Sequence, residues 1–153
     1  GVRAAHVTGI DKVLGSMDHV RCVLGPARGE SVRLDYRDWM RCLIYVDDIA
    51  EVFCRIALKA RPAHAVYNSG GETMSLGDIV DVVRQFIPDA DVSFEHAAGG
   101  ADRSFAYLFD STRLRDEFGV TLVPYAQRVE QMIAAARDDE LSNPLSPHRR
   151  SAQ

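Results

Sequence analysis

Apolar and polar positions along this chain change period from two to nearly four and back, and the changes mark out elements. Residues 42–46, Cys42-Leu43-Ile44-Tyr45-Val46, form an unbroken apolar run, β-branched and aromatic, which predicts a buried strand. Asp47 and Asp48 break it. Ile49, Val52, Phe53, Ile56, Ala57 and Ala60 then recur at helical spacing, one stripe on one face. Either aspartate suits the positive end of that helix as a cap, and Arg61-Pro62 ends it. Residues 31–36 alternate Val32, Leu34 and Tyr36 with Ser31, Arg33 and Asp35, a half-buried strand, and Val92 and Phe94 repeat that pattern among Asp91, Ser93 and Glu95. Residues 1–7 and 65–68 also read as strands.

The remaining punctuation is local. Residues 8–16 read as a loop. Residues 17–24 predict a short helix with Ser16 as its cap, Met17, Val20, Val23 and Leu24 inward, and Gly25-Pro26 closing it. Ser75 and Asp78 resemble a capping box ahead of a helix that turns Leu76, Ile79, Val82, Val83 and Phe86 to one side, with Pro88 as its stop. Residues 97–102, with Gly99-Gly100, are loop, and 105–109 are an extended apolar run. Asp110 caps a helix over 111–118 that Gly119 terminates. Pro124 opens the last helix, with Val129, Met132, Ile133 and Ala136 inward. Helices that follow strands predict an α/β fold, strands covered by helices. One domain over 1–137 and a polar, disordered tail over 138–153 complete the organisation.

Composition narrows the classes. The chain has 153 residues, enough for one core, and 46% of them are hydrophobic, as in a globular protein. A net charge of -4 offers no basic surface for nucleic acid. No apolar run approaches the roughly 18 residues that a membrane helix needs. Three cysteines, Cys22, Cys42 and Cys54, are odd in number and lack CxxC spacing. Cys42 and Cys54 lie in apolar runs and read as buried free thiols, which favours a reducing compartment such as the cytoplasm. The five histidines, His6, His19, His64, His96 and His148, have no ligand spacing with cysteine or acid, so no metal site is expected.

Arg41-x-x-x-Tyr45-Val46-Asp47-Asp48-Ile49-Ala50, followed by Val66-Tyr67-Asn68-Ser69-Gly70-Gly71, resembles the C-terminal half of NAD(P)-dependent epimerases and dehydratases, the extended short-chain dehydrogenase/reductase family. The likeness runs from about residue 15 to about residue 137. It implies the C-terminal, substrate-binding part of a Rossmann-type enzyme acting on a nucleotide sugar, with NAD or NADP in the complete enzyme. Such enzymes need a GxGxxG turn after a first strand and a Tyr-x-x-x-Lys pair. This chain has neither, since its only lysines, Lys12 and Lys59, do not follow a tyrosine at that spacing. The resemblance therefore implies that this chain alone binds no cofactor, that an N-terminal Rossmann half is missing, and that self-association or a partner covers the surface left bare.

In the resembled family an arginine ahead of the Tyr-Val-Asp-Asp turn contacts the substrate diphosphate, and Arg41 stands there. Guanidinium grips phosphate oxygens in pairs. The plainer alternative is a salt bridge to Asp35, Asp38 or Asp47. The family pattern has Asp-Phe after this arginine, where Cys42-Leu43 follow here. Arg103 matches a second phosphate-clamping arginine in the loop after the 92–94 strand, and Tyr107 lines the same cleft or the core. Asp47 and Asp48 read as structural caps rather than paired catalytic carboxylates, because adjacent residues at a helix start do not face each other. Asn68 holds a turn through its amide, and Tyr45 and Tyr67 are core strand residues. A non-catalytic binding domain, or part of an amino-acid or hydroxy-acid dehydrogenase of the same fold, are the competing readings.

Overall fold

The apolar run around Cys42 becomes the middle strand of the largest sheet. In the computed structural model, which describes residues 1–10, 17–100 and 108–142, strand β4 (Met40–Tyr45) lies between β2 (His6–Thr8), parallel to it, and β6 (Glu72–Ser75), antiparallel. Just ahead of β2, β1 (Val2–Arg3) pairs in parallel with β5 (Tyr67–Asn68). The two alternating segments meet as a parallel pair, β3 (Val32–Tyr36) with β7 (Val92–His96). Five helices complete the described residues: α1 (Asp18–Ala27), α2 (Val46–Leu58), α3 (Leu76–Phe86), α4 (Thr112–Phe118) and α5 (Tyr125–Ser142). The α/β expectation holds.

Residues 42–45 of β4 are buried on both faces, as strands covered on two sides are. Side chains alternate across a strand. Leu43 and Tyr45 join the cluster that α1, α3 and α5 form with Val20, Val83, Met132 and Ile133. Cys42 and Ile44 join a second cluster with Ile49, Val52, Tyr67 and Leu114. Tyr45 and Tyr67 are thus core residues, as their strand positions imply.

The punctuation is right in places and wrong in others. Ser75 and Asp78 form the capping box in both directions, at 3.0 and 2.9 Å, and Gly119 is the left-handed C-cap of α4. Neither Asp47 nor Asp48 caps α2. The cap position is Tyr45, no side chain accepts there, and both aspartates sit inside the first turn. Their charges still face the helix's positive end. Gly25-Pro26 does not close α1, which continues to Ala27. A proline so near the end costs little, because Arg28 N–H reaches back to the carbonyls of Leu24 and Gly25. Met17 precedes that helix and is exposed rather than inward, and Ser16 lies outside the described residues. The stretch 1–7 divides into two strands with different partners. Residues 138–142, expected to be disordered, continue α5. No helix among the described residues is long and apolar enough to cross a membrane.

Two expectations for α2 fail on its outer side. Phe53 is 50% exposed and Cys54 is exposed, although both lie in an apolar run. Only Ile49 and Val52 of the expected stripe are fully buried, because the core touches one edge of it. Cys22 and Cys42 are buried free thiols.

Glu117 fastens α4 to the segment after α2. Its carboxylate accepts from Tyr67 Oη at 2.5 Å and from Ala63 N–H at 2.8 Å, and Lys59 Nζ lies 2.9 Å away. The Tyr67 hydrogen bond is the main cause holding its pKa down at about 2, below the ordinary 4.5. A folded-state pKa below the unfolded one adds stability above the unfolded value and loses it as pH falls. Acid titration should therefore erode stability between about pH 4.5 and 2. Glu117→Gln should flatten that limb of the stability–pH curve measured by urea unfolding, and an unchanged limb would contradict the assignment.

Candidate functional site

Arg41 is the second residue of β4, opposite Met74 of β6. Its half-buried guanidinium donates to the Met40 carbonyl at 2.8 Å and lies 4.3 Å from the centre of the Trp39 ring. Burial lowers its pKa, opposed by the more distant Asp18. Among the described residues no carboxylate comes within 4 Å of it. The salt bridges to Asp35, Asp38 or Asp47 weighed as the plain alternative are therefore not made. Asp38 spends its carboxylate on the N–H groups of Gly99 and Gly100, both at 2.9 Å. Asp18 is bonded to Arg21 at 3.1 Å.

Two histidines meet beside β4, and the charge of Arg41 reaches one of them, His19. His19, in the first turn of α1, is buried, and its Nε2–H donates to the Val7 carbonyl at 3.2 Å. His6, on β2, turns Nδ1–H to the Cys42 carbonyl at 3.1 Å. Their rings meet edge to face with centroids 6.0 Å apart. Burial pushes the His19 pKa down, the Val7 hydrogen bond opposes this, and His6 and Arg41 reinforce the lowering. A carbonyl only accepts, so each bond fixes a tautomer and leaves the other ring nitrogen as an acceptor while the ring is neutral. His6 also lines a cavity of about 490 Å³ with Arg3, Ala5, Asn68, Leu108 and Phe109. No pattern along the chain marks His6, which opens β2 rather than standing at its carboxyl end.

The other expected residues fare unequally. Arg103 and Tyr107 lie outside the described residues, as do 105 and 106 of the expected extended run. The loop leading to Arg103 is described as far as Gly100, held by Asp38 three positions before Arg41. Asn68 does not hold its own turn. Its Nδ2 donates to the Asp110 carbonyl at 3.1 Å and so ties β5 to the approach of α4. Asp48 is bound by Arg128, Nε to Oδ2 at 3.1 Å and Nη2 to Oδ1, while the guanidinium covers the Tyr45 ring at 4.6 Å. Eighty residues separate this pair, and no local pattern announces it. Among the described residues no group of three or more His, Cys, Asp or Glu could hold a metal.

The Ser69-Gly70-Gly71 turn does not fit a dinucleotide. It leads into a strand, not a helix N-terminus. A Cβ on Gly71 would lie 2.8 Å from both Cys42 Sγ and the Leu43 carbonyl oxygen, so protein atoms occupy the space a pyrophosphate needs.

No family model matches the chain, and no curated protein sequence does. Solved structures do. A UDP-glucuronic acid 4-epimerase from Bacillus cereus, in complex with UDP-glucuronic acid and NAD, superposes with a TM-score of 0.73 at 16% identity, over 90% of this chain and 44% of its own. The Bordetella bronchiseptica enzyme WbmG, with NAD and UDP, gives 0.67 at 24% identity, over 90% and 42%. A GalE-like L-threonine dehydrogenase from Cupriavidus necator gives 0.74 at 15%, over 87% and 46%. The chain spans less than half the length of each. At these identities the likeness is one of architecture, and this chain has the α/β fold of the C-terminal half of the extended short-chain dehydrogenase/reductases.

Proposed function

We propose that this chain is the substrate-binding portion of an NAD(P)-dependent epimerase- or dehydratase-like oxidoreductase whose substrate is a nucleotide sugar. Arg41 carries the reading. A half-buried guanidinium without a carboxylate within 4 Å among the described residues is a desolvated cation prepared for an anion from outside. The Trp39 ring lies under it, 4.3 Å from centroid to guanidinium carbon. In this reading Arg41 grips the diphosphate from one side. Arg103 closes on it from the loop that Asp38 tethers, and Tyr107 lines the same cleft. His6 and Asn68 face the cavity as hydrogen-bonding groups for the sugar. The complete enzyme holds NAD or NADP, which supplies the hydride chemistry, on residues this chain does not contain. The chain alone then turns over no nucleotide sugar with NAD, and steady turnover would overturn the reading.

The direct test is calorimetric titration of the chain with UDP. Arg41→Ala should weaken binding about tenfold to a hundredfold, the worth of one charge-assisted phosphate contact, with the circular dichroism spectrum unchanged. Equal affinity in the two proteins would remove Arg41 from the site. A dehydrogenase acting on an amino acid is the second reading, favoured by the L-threonine dehydrogenase among the similar structures. There the arginines meet a carboxylate, so L-threonine rather than UDP should titrate and lose affinity in the same variant.

A further inference from the structure

The face of the sheet that carries Arg41 also carries His6. In the register of β2 with β4, His6 stands opposite Leu43. Arg41 lies two residues before Leu43, and side chains alternate across a strand, so Arg41, Leu43 and His6 project to one side. Helix α1 packs on that side, where Leu43 joins its cluster. It brings in His19, whose ring meets the His6 ring edge to face at 6.0 Å. Arg3, at the end of β1, lines the same cavity as His6 and Asn68. Among the described residues no carboxylate lies within 4 Å of His6, His19, Arg3 or Arg41. Asp18, the acid whose charge reaches His19, is bonded to Arg21.

The two rings are not equivalent. His19 is 3% exposed. Burial holds its pKa down; the Val7 hydrogen bond opposes this, His6 and Arg41 add to the lowering, and Asp18 opposes it. His6 is half-buried and opens onto the cavity of about 490 Å³. A proton entering this pair therefore goes to His6, and His19 stays neutral. The Cys42 carbonyl already holds the Nδ1–H of His6 at 3.1 Å, so the proton arrives at Nε2. That turns Nε2 from an acceptor into a donor. An anion seated on the face that Arg41 and His6 share favours the charged ring.

We infer that the ligand brings a proton with it: when a diphosphate is seated at Arg41, His6 takes a proton from solvent at Nε2 and becomes a hydrogen-bond donor toward the sugar. One N–H bond forms and no electrons are exchanged. The inference deepens the proposed function and rests on it for the identity of the anion, not for the proton uptake. Reciprocity fixes the pH dependence. A ligand that raises the proton affinity of His6 is itself held more tightly as pH falls through the range where His6 titrates.

The first test uses UDP-glucose, whose diphosphate is esterified at both ends and has no proton to gain near neutrality. Calorimetric titration in two buffers of different ionisation enthalpy counts the protons taken up. The expected result near neutral pH is about half a proton per ligand, with affinity about fivefold higher at about pH 6 than at about pH 8. His6→Gln, which keeps a hydrogen-bonding side chain that cannot be charged, should lose both effects. Binding without proton uptake overturns the inference, as does uptake that persists in His6→Gln. The second test needs no nucleotide. The Cε1–H proton resonance of His6, identified by its loss in His6→Gln, is followed against pH in sulfate and in chloride at equal ionic strength. Sulfate should raise the proton affinity of His6 about fivefold, while His19 stays neutral over the same range. Equal titration in the two salts overturns the inference, and so does a response confined to His19. The two tests separate the proposals. UDP-glucose binding without proton uptake leaves the nucleotide-sugar reading standing and sinks this one, whereas a sulfate response without UDP-glucose binding does the reverse.

Discussion

Arg128→Met should cost the fold about 3 kcal/mol, the loss expected when one member of a buried ion pair is removed. The Arg128 and Asp48 side chains are 13% and 8% exposed. The methionine fills much of the arginine's volume, so what is lost is the charge and its bonds, leaving the Asp48 carboxylate buried without its counter-ion. Urea unfolding followed by circular dichroism reads the difference. Adding Asp48→Leu should recover much of the loss, because an apolar pair carries no desolvation cost. The Arg33–Glu95 pair is the control. Its side chains are 74% and 41% exposed, so Arg33→Met should stay within about 0.5 kcal/mol of the parent protein. If Arg128→Met is as mild as Arg33→Met, the pair does not hold α5 to the start of α2.

Gly71→Ala should lose about 2 to 3 kcal/mol, combining backbone strain with a collision that cannot relax. Gly71 has φ +154°, and its added methyl would meet the Leu43 carbonyl oxygen and Cys42 Sγ at 2.8 Å and Ala5 Cβ at 3.1 Å. Leu43 is fixed by its pairing with His6 on one side and Glu72 on the other, so its carbonyl cannot step aside. Gly29→Ala isolates the conformational part. Gly29 also has positive φ, +71°, but nothing lies within 4 Å of the added carbon, so its cost should be about 1 kcal/mol. Thermal unfolding of both variants decides the matter, and equal losses would refute the steric argument.

The fold was legible where one local rule decides the structure. The strand at 42–45, the capping box at Ser75 and the glycine stop at 119 each follow from a few adjacent residues. The rule failed where a distant partner decides. Asp48 reads as a cap until Arg128 is seen beside it, and Asn68 reads as a turn residue until the Asp110 carbonyl arrives. Phe53 and Cys54 read as core because spacing shows which residues share a face and not how much of that face is covered. Arg41 was found through its resemblance to a family position. His6 and His19 carry no ligand spacing along the chain, and their meeting depends on β2 lying beside α1.

Strand β4 has a consequence for how the molecule comes apart. It is a party wall, contributing Leu43 and Tyr45 to one hydrophobic cluster and Cys42 and Ile44 to the other. Neither cluster can melt without stripping one side of the strand that the other still needs. The two halves of the interior should therefore unfold in a single cooperative step, and the amide hydrogens of 42–45 should be among the last to exchange with solvent.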